Sequence, residues 1–397
     1  MERLIQRSIE KIARTGTRSV RDFINAIDWN NRLIGIRGAR GVGKTTLLLQ
    51  YLKIHYHASP TALYVSLDHF FFAETRLYDL ADEFYKKGGK LLVMDEVHRY
   101  PEWTREMKNM YDDFPDLRMV FTASSLLHIQ QAKEDLSRRA VIYDMPGLSF
   151  REFLNFELKE NFKPFSVQEV FKNHLTLATG IIEKIRPLEF FSEYLSLGYY
   201  PYYLENKKSY HQKLSESLQM VIEVDIPQYI QMPVSHIYHL KKLLSIIATS
   251  APFKPNLTSL SERTGISINT LKSYLFYLDQ AQLISLLTSE PKGVNFLGKP
   301  DKIFLNNTNI MYNLGGEKTD IGNVRETFMY NQLIQVARVY ASKYGDFLVN
   351  DKITLEIGGK NKGNKQIRNV PEAYIVKDGI EAGSGKTIPI WLFGFLY

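Results

Sequence analysis

Four short apolar runs in the first third of the chain each predict a buried strand. They lie at residues 33–37, 61–68, 91–95 and 117–125. Apolar residues that follow one another without alternation are typical of strands buried on both faces, as in a parallel sheet between helices. The pattern therefore predicts an α/β fold for this part of the chain.

The middle of the chain is predicted to be helical. Residues 166–250 carry apolar side chains at helical spacing, for example Leu218, Val221 and Ile222. Such spacing gives a helix one apolar face, which it buries against a neighbour. We interpret this stretch as a helical lid or linker.

Residues 236–315 have the element order of a winged helix. The predicted helices and strands are 240–250, 257–265, 267–283, 284–289 and 302–305, with a hairpin at Gly293 and Gly298 between the strands. Gly265 provides the turn before the third helix and Ser267 its cap. The side chains that this helix could present to a DNA major groove are Asn269, Thr270, Lys272 and Ser273. Lys272 is the only cation among them, so DNA binding and protein contact both remain open.

Composition indicates a globular protein of two or three domains. The chain has 397 residues, of which 44% are hydrophobic and 23% charged. It has no cysteine, which excludes disulfides and thiolate metal sites and suits a reducing cytoplasm. No apolar run is long enough for a membrane helix or resembles a signal peptide. We expect a cytoplasmic protein without membrane contact.

The formal charge of +7 permits nucleic-acid binding without requiring it. Part of the excess lies in the first forty residues, where Ile5, Ile9 and Ile12 also fall at helical spacing. One interpretation is a docked helix whose basic face lies in water. The other is a contact with a phosphate backbone.

A phosphate-binding loop follows the first predicted strand. Residues 38–45 have the pattern G-x-x-x-x-G-K-[ST], and a helix-like run begins at Thr46. Glycines let successive backbone N–H groups face phosphates at the positive end of a helix. We expect Lys44 to contact the β- and γ-phosphates and Thr45 to ligate Mg²⁺. The predicted nucleotide-binding residues are Gly38, Ala39, Arg40, Gly41, Val42, Gly43, Lys44, Thr45 and Thr46.

The strand at residues 91–95 ends in two carboxylates. Asp95 is predicted to hold Mg²⁺ and Glu96 to orient or deprotonate the attacking water. Farther along the chain, Arg139, with Arg138 second, is the candidate cation for the γ-phosphate, in the same chain or from a neighbouring subunit. His98 is interpreted either as a phosphate sensor or as a packed or solvent-facing histidine.

An extra strand between the two motif strands, for which we take residues 61–68, resembles the additional-strand catalytic-glutamate class that includes AAA+ proteins. That resemblance implies a polar residue at the end of the next strand that contacts the water or γ-phosphate. Ser124 is the first choice, with Thr122 and Ser125 as alternatives. A helix cap is the competing interpretation of these hydroxyls.

The ordered series of motifs resembles prokaryotic AAA-type ATPases with a C-terminal nuclease-like domain. It includes residues 38–46, 94–98, 136–140 and 146–154 and the turn at 198–201. That turn lacks the second glycine of the family pattern. The resemblance implies a P-loop NTPase fold, then a helical and winged-helix region, then a small α+β domain like restriction endonucleases.

In the last domain the resemblance implies a metal-dependent phosphodiesterase site. Its residues would be Asp346 and Glu356 as metal ligands, with Glu326 and Lys360 nearby. The family lysine lies two positions after the glutamate, where this chain has Gly358. Lys360 would start about 6–7 Å too far along a continuing strand, unless the glycine pair bends the chain. An inactive or nucleic-acid-binding remnant is the alternative.

The predicted domains are the ATPase domain at 1–160, the lid at 161–235, the winged helix at 236–315 and the nuclease-like domain at 316–397. The leading hypothesis is an ATPase, with ATP and Mg²⁺ as cofactors, that couples nucleotide state to DNA engagement by the C-terminal half. The alternatives are a slow nucleotide switch that binds protein partners and an ATP-gated nuclease. Homo-oligomer formation remains open.

Overall fold

The computed structural model describes residues 1–57, 59–123, 136, 138–230, 232–289 and 299–397. The chain divides into two compact units, residues 1–146 and residues 147–397. Across these described stretches, no helix has both the length and the apolar character needed to cross a membrane.

The first unit is built around a five-stranded parallel sheet. Its strands are β1 (Leu33–Arg37), β2 (Ala62–Ser66), β3 (Leu91–Asp95), β4 (Arg118–Ala123) and β5 (Val141–Asp144). Its helices are α1 (Glu2–Arg14), α2 (Phe23–Ala26), α3 (Lys44–Tyr56), α4 (Leu77–Lys86) and α5 (Trp103–Asp113). Every residue of β3 is buried, as the continuous apolar run predicted. The α/β prediction is confirmed for this unit.

The strand order in space is β2-β3-β4-β1-β5. The strand that separates the two motif strands is therefore β4, and our assignment of the extra strand to residues 61–68 is wrong. The order of strands along the chain does not reveal which strand lies between β1 and β3. The connection from β1 to β2 passes over two strands, β4 and β3, to the far edge of the sheet. The carboxyl ends of all five strands meet at one edge, where ligands bind in open parallel sheets.

Helix α1 covers the exposed edge of β2. Its buried residues are Leu4, Ser8 and Ile12, and the Ser8 hydroxyl accepts a hydrogen bond of 2.9 Å from the backbone N–H of Tyr64. An edge strand has unpaired backbone groups that pair with other chains unless they are covered. Ser8 satisfies one of those groups and fixes where α1 lies on the sheet.

The second unit begins with helices and ends with a mixed sheet. Its helices are α6 (Phe150–Leu158), α7 (Val167–Ile182), α8 (Pro187–Leu197), α9 (Tyr210–Met220), α10 (Ile226–Ile230), α11 (Val234–Ala248), α12 (Leu257–Thr264), α13 (Ile268–Gln280), α14 (Thr308–Gly315) and α15 (Ile321–Leu333). Its strands are β6 (Ile284–Leu287), β7 (Lys302–Leu305), β8 (Val339–Ala341), β9 (Phe347–Val349), β10 (Ile353–Gly358), β11 (Ala373–Lys377) and β12 (Thr387–Pro389). The C-terminal sheet has the order β12-β11-β10-β9-β8.

Helices α11 to α13 precede the antiparallel pair β6 and β7. Gly265 ends α12 with a positive φ of 76°, and the Ser267 hydroxyl then caps α13. Phe253 pairs with Ile303 and adds a third extended segment beside β7. The predicted element order is present, although the hairpin glycines Gly293 and Gly298 lie outside the described residues.

Candidate active site

The loop after β1 has a conformation that requires glycine at three positions. Gly41 and Gly43 have φ values of 86° and 98°, which side chains rarely adopt. A Cβ on Gly38 would lie 2.3 Å from the carbonyl oxygen of Met145, just past the end of β5. Helix α3 starts at Lys44, directly after the loop, so its positive end points into the curve.

The Lys44 ammonium group is held within this loop. Its Nζ donates hydrogen bonds to the carbonyl oxygens of Gly38, at 2.8 Å, and Ala39, at 3.0 Å. The residue is only 5% exposed. A buried ammonium group needs such partners, since an unpaired charge would be costly. The cation is therefore fixed at the loop before any phosphate arrives.

Arg21 supports the loop from behind. Its buried guanidinium donates to the Val42 carbonyl at 3.2 Å and to the Pro146 carbonyl at 2.6 Å. These bonds connect the loop to the segment after β5. No sequence pattern distinguishes Arg21, because it is one of many arginines in the basic first forty residues.

Asp95 is the centre of the polar network. It is 2% exposed, and its Oδ2 accepts hydrogen bonds of 2.7 Å from the Thr45 and Tyr64 hydroxyls. Its Oδ1 accepts one from Thr122. Three hydroxyl donors from α3, β2 and β4 thus compensate the buried carboxylate. Burial and the negative charge of Asp95 hold the pKa of Tyr64 well above its usual value, so Tyr64 remains a donor.

Glu96 occupies the turn just beyond β3. Its φ is 56°, an uncommon value for a residue with a side chain. Its backbone N–H donates to the Thr122 hydroxyl at 3.0 Å. The His98 ring is fully buried, and its Nε2 lies 3.4 Å from Glu96 Oε2. The Glu96 side chain is 25% exposed, so unlike Asp95 it is open to solvent.

Residues 30–154 match a family model described as an AAA domain. This stretch is an AAA-type P-loop ATPase domain. Residues 188–320 match a second model, described as a domain of unknown function (DUF8612). No curated protein matches the chain in sequence.

Several solved structures resemble the chain distantly. One, the Walker-type ATPase PABY2304 of Pyrococcus abyssi, is 11% identical, with 78% of this chain and 95% of that one covered and a TM-score of 0.42. The Aeropyrum pernix ORC1 protein in complex with DNA is 13% identical over 80% and 92%, with a TM-score of 0.29. AMPPCP-bound DnaA from Aquifex aeolicus is 14% identical over 64% and 83%, with a TM-score of 0.25.

The three hydroxyl candidates at the end of β4 have different outcomes. Ser124 and Ser125 lie outside the described residues, whereas Thr122 contacts both Asp95 and the Glu96 backbone. Thr122 was the second choice in the sequence. Its hydroxyl organises the two carboxylates rather than capping a helix.

The structure does not bring Arg139 to the phosphate loop of its own chain. Its guanidinium pairs with Asp112 on α5, at 3.0 and 2.9 Å. Arg139 precedes the amino end of β5, which runs parallel to β1, whereas the phosphate loop follows the carboxyl end of β1. The two are separated by about 15–20 Å, because a strand rises about 3.3 Å per residue. Arg138 is exposed beside it.

The second unit has a separate cluster of carboxylates and lysines. Glu326 on α15 forms an ion pair with Lys302, and Glu356 on β10 forms one with Lys362. Asp346 Oδ2 accepts a hydrogen bond of 2.7 Å from the Ile357 N–H. Burial, opposed by the lysines and aided by neighbouring carboxylates, raises the pKa of both glutamates. Among the residues that can be described, no group of three or more His, Asp or Glu is arranged to hold a metal ion.

Lys362, not Lys360, is the lysine at Glu356. The chain turns back after Gly358, with the Lys362 N–H bonded to the Gly359 carbonyl at 2.9 Å. A Cβ on Gly358 would lie 2.6 Å from Lys362 Cγ. The missing side chain therefore makes room for Lys362, while Lys360 is exposed. The chain bends at the glycine pair, which was one of the possibilities in the sequence, but the bend places Lys362 and not Lys360 at Glu356.

We expect Gly38→Ala to weaken Mg·ATP binding at least 100-fold, because the new methyl group would force the loop away from Met145. The measurement is isothermal titration calorimetry on the full chain. Gly16→Ala is the matched control, since a Cβ on Gly16 meets nothing within 4 Å. Equal affinities in both variants would contradict this account of the loop.

Proposed function

We propose that the chain is a Mg²⁺-dependent ATPase that uses the Asp95 and Glu96 pair. The observation that carries the proposal is the 2.7 Å hydrogen bond from the Thr45 hydroxyl to Asp95, which joins the phosphate loop to the end of β3. Thr45 and Asp95 present two hard oxygen atoms, the ligand type that Mg²⁺ prefers. The ion would be held there, next to the nucleotide loop 38–46, and would neutralise phosphate charge.

The two carboxylates have different roles because their exposure differs. Asp95 is buried among hydroxyl donors and cannot reach bulk water. Glu96 is adjacent to it but solvent-accessible, so its carboxylate can accept a proton from an attacking water. The Thr122 hydroxyl fixes the Glu96 backbone, and His98 borders its side chain. Lys44 supplies positive charge for the β- and γ-phosphates.

Glu96→Gln is expected to bind ATP with near wild-type affinity and to lose about 10²–10⁴-fold in turnover, because an amide cannot accept the water proton. Steady-state phosphate release and nucleotide titration measure the two effects. Glu102→Gln, an exposed change in the same unit, is the control and should retain activity. Lys44→Ala, unlike Glu96→Gln, should lose ATP binding in addition to turnover. Intact hydrolysis in Glu96→Gln would remove Glu96 from its role.

We further propose that the second unit engages DNA, with nucleotide state as the control. Support comes from the α12–Gly265–α13 arrangement followed by β6 and β7, which is the element order of a winged helix. The inner face of α13 is buried through Leu271, Tyr274, Leu275 and Leu278. Its partly or fully exposed face carries Asn269, Thr270, Lys272 and Ser273.

The double change Asn269→Ala/Lys272→Ala is expected to weaken binding of duplex DNA about tenfold or more, since a good base contact is worth about 1–3 kcal/mol. Fluorescence anisotropy at several salt concentrations measures it. Lys172→Ala, an exposed lysine on α7, is the control. If the wild type shows no duplex binding even at low salt, the alternative of a nucleotide switch with a protein partner gains support.

Phosphodiester cleavage at Glu356 is a second candidate function. It is favoured by one observation: Glu356 Oε2 is buried without a hydrogen-bond partner while Lys362 pairs with Oε1. Asp346 lies close enough to contribute to the raised pKa of Glu356, and Glu356 and Asp346 both contribute to the raised pKa of Glu326. The described carboxylates are not arranged as a metal site, and Lys302 and Lys362 pair with the two glutamates. Metal-dependent cleavage therefore requires a divalent ion to displace these lysines and to stabilise the phosphorane charge itself.

Plasmid incubated with Mg²⁺ or Mn²⁺ tests this candidate. We expect Glu356→Gln and Lys362→Ala to abolish cleavage, while Lys360→Ala retains it because Lys360 is exposed and away from Glu356. Gel electrophoresis of nicked and linear products is the readout. An intact plasmid after incubation with wild-type protein would dismiss the nuclease hypothesis.

A further inference from the structure

The exposed face of α1 carries a row of cations. Its buried face is formed by Leu4, Ser8 and Ile12, and the flank next to that face presents four exposed basic residues: Arg3, Arg7, Lys11 and Arg14. They follow one another at intervals of four, four and three residues. With a rise of 1.5 Å per residue, the row is about 16 Å long.

Two grooves border this row. The smaller, of about 360 Å³, is lined by Arg7, Glu10, Lys11, Arg14, Thr15 and Leu49. Its three cations exceed its one carboxylate, so the lining has a net positive charge. The larger, of about 660 Å³, contains Arg3, Arg7, His69 and Phe70. It also contains Glu2, Glu74 and Glu83, of which Glu83 is paired with Lys87 at 2.7 Å.

One member of the row is connected to the ATPase centre. Lys11 Nζ donates to the Tyr64 hydroxyl at 3.1 Å, and that hydroxyl donates to Asp95 Oδ2 at 2.7 Å. A donor to the Tyr64 oxygen polarises its O–H group and strengthens the bond to Asp95. An anion that draws Lys11 away would weaken this bond and leave more of the Asp95 charge for a metal ion.

The shape of the surface favours a single nucleic-acid strand. Regularly spaced cations suit a run of backbone phosphates, and Phe70, which is 91% exposed, offers a ring on which a base can stack. A lipid surface fits poorly, because Leu4 and Ile12 are buried against their own unit and Ile5 and Ile9 are only partly exposed, which leaves little apolar surface to insert. An acidic peptide would use the cations but not the ring.

We propose that the exposed face of α1 binds the backbone of a single-stranded nucleic acid, and that Lys11 and Tyr64 transmit its occupancy to Asp95. The binding surface is independent of the ATPase function proposed above. The transmission to Asp95, in contrast, rests on the proposed ATPase function. This surface is also distinct from the duplex site proposed on α13.

Binding is tested with a fluorescent oligothymidylate and the full chain, by anisotropy across a range of NaCl concentrations. Four phosphate contacts predict a slope of log K against log salt near −3, at about −0.7 per phosphate on single strands. Arg7→Ala/Arg14→Ala should bring the slope to about −1.4 and weaken binding. Arg105→Ala, an exposed arginine on α5, should leave both unchanged.

Transmission is tested by the dissociation constant of Mg·ATP with and without saturating oligothymidylate. The strand should tighten nucleotide binding at least fivefold in the wild type, the low end of typical coupling between sites. In Lys11→Ala and Tyr64→Phe the ratio should return to about one. A ratio that persists in both variants overturns the link.

Two results overturn the surface itself. One is oligothymidylate affinity that does not change in Arg7→Ala/Arg14→Ala. The other is tighter binding of polyglutamate or of an equal-length duplex to this face. Failure of the ATPase proposal is distinguishable from both, because it appears as absent nucleotide binding or turnover without any strand present.

Discussion

The AAA domain depends on one buried carboxylate and the three hydroxyl groups that satisfy it. Asp95 is removed from water at the end of β3, where an isolated charge would be costly. Thr45, Tyr64 and Thr122 each donate to it, and they belong to α3, β2 and β4. The charge therefore draws together the phosphate loop, the sheet edge and the neighbouring strand. A change in any of the three donors alters the place where a metal ion would be held.

The phosphate loop is constrained from outside as well as by its own glycines. The Met145 carbonyl lies against Gly38, and Arg21 connects the loop carbonyl of Val42 to Pro146. Both contacts involve the segment that follows β5. The loop therefore owes its conformation to the segments on either side of it as well as to its motif. Such fixed geometry lets backbone N–H groups face phosphates without reorganisation.

In the second unit, ion pairs with lysines compensate carboxylates that are partly or fully buried. Glu326 and Glu356 are drawn into a cluster with Asp346, and Lys302 and Lys362 neutralise two of the three charges. These ion pairs are partly buried, and their attraction offsets the cost of desolvating the charges only where the geometry is good. The Oε2 atom of Glu356 is buried without a hydrogen-bond partner, so it can still accept a hydrogen bond or contact a cation.

The sequence by itself determined the local features: the loop at 38–45, Asp95 and Glu96 at a strand end, and the buried strands that support them. These follow from short patterns, because glycine conformation and apolar runs act over a few neighbouring residues. Only the tertiary structure decided which strand separates β1 from β3 and that Tyr64 and Thr122 donate hydrogen bonds to Asp95. It also placed Arg139 at the amino end of β5, the edge of the sheet opposite to the phosphate loop. It also decided that the lysine paired with Glu356 is Lys362 and not Lys360. Those outcomes depend on which distant segments are adjacent in space, and no spacing along the chain encodes that adjacency.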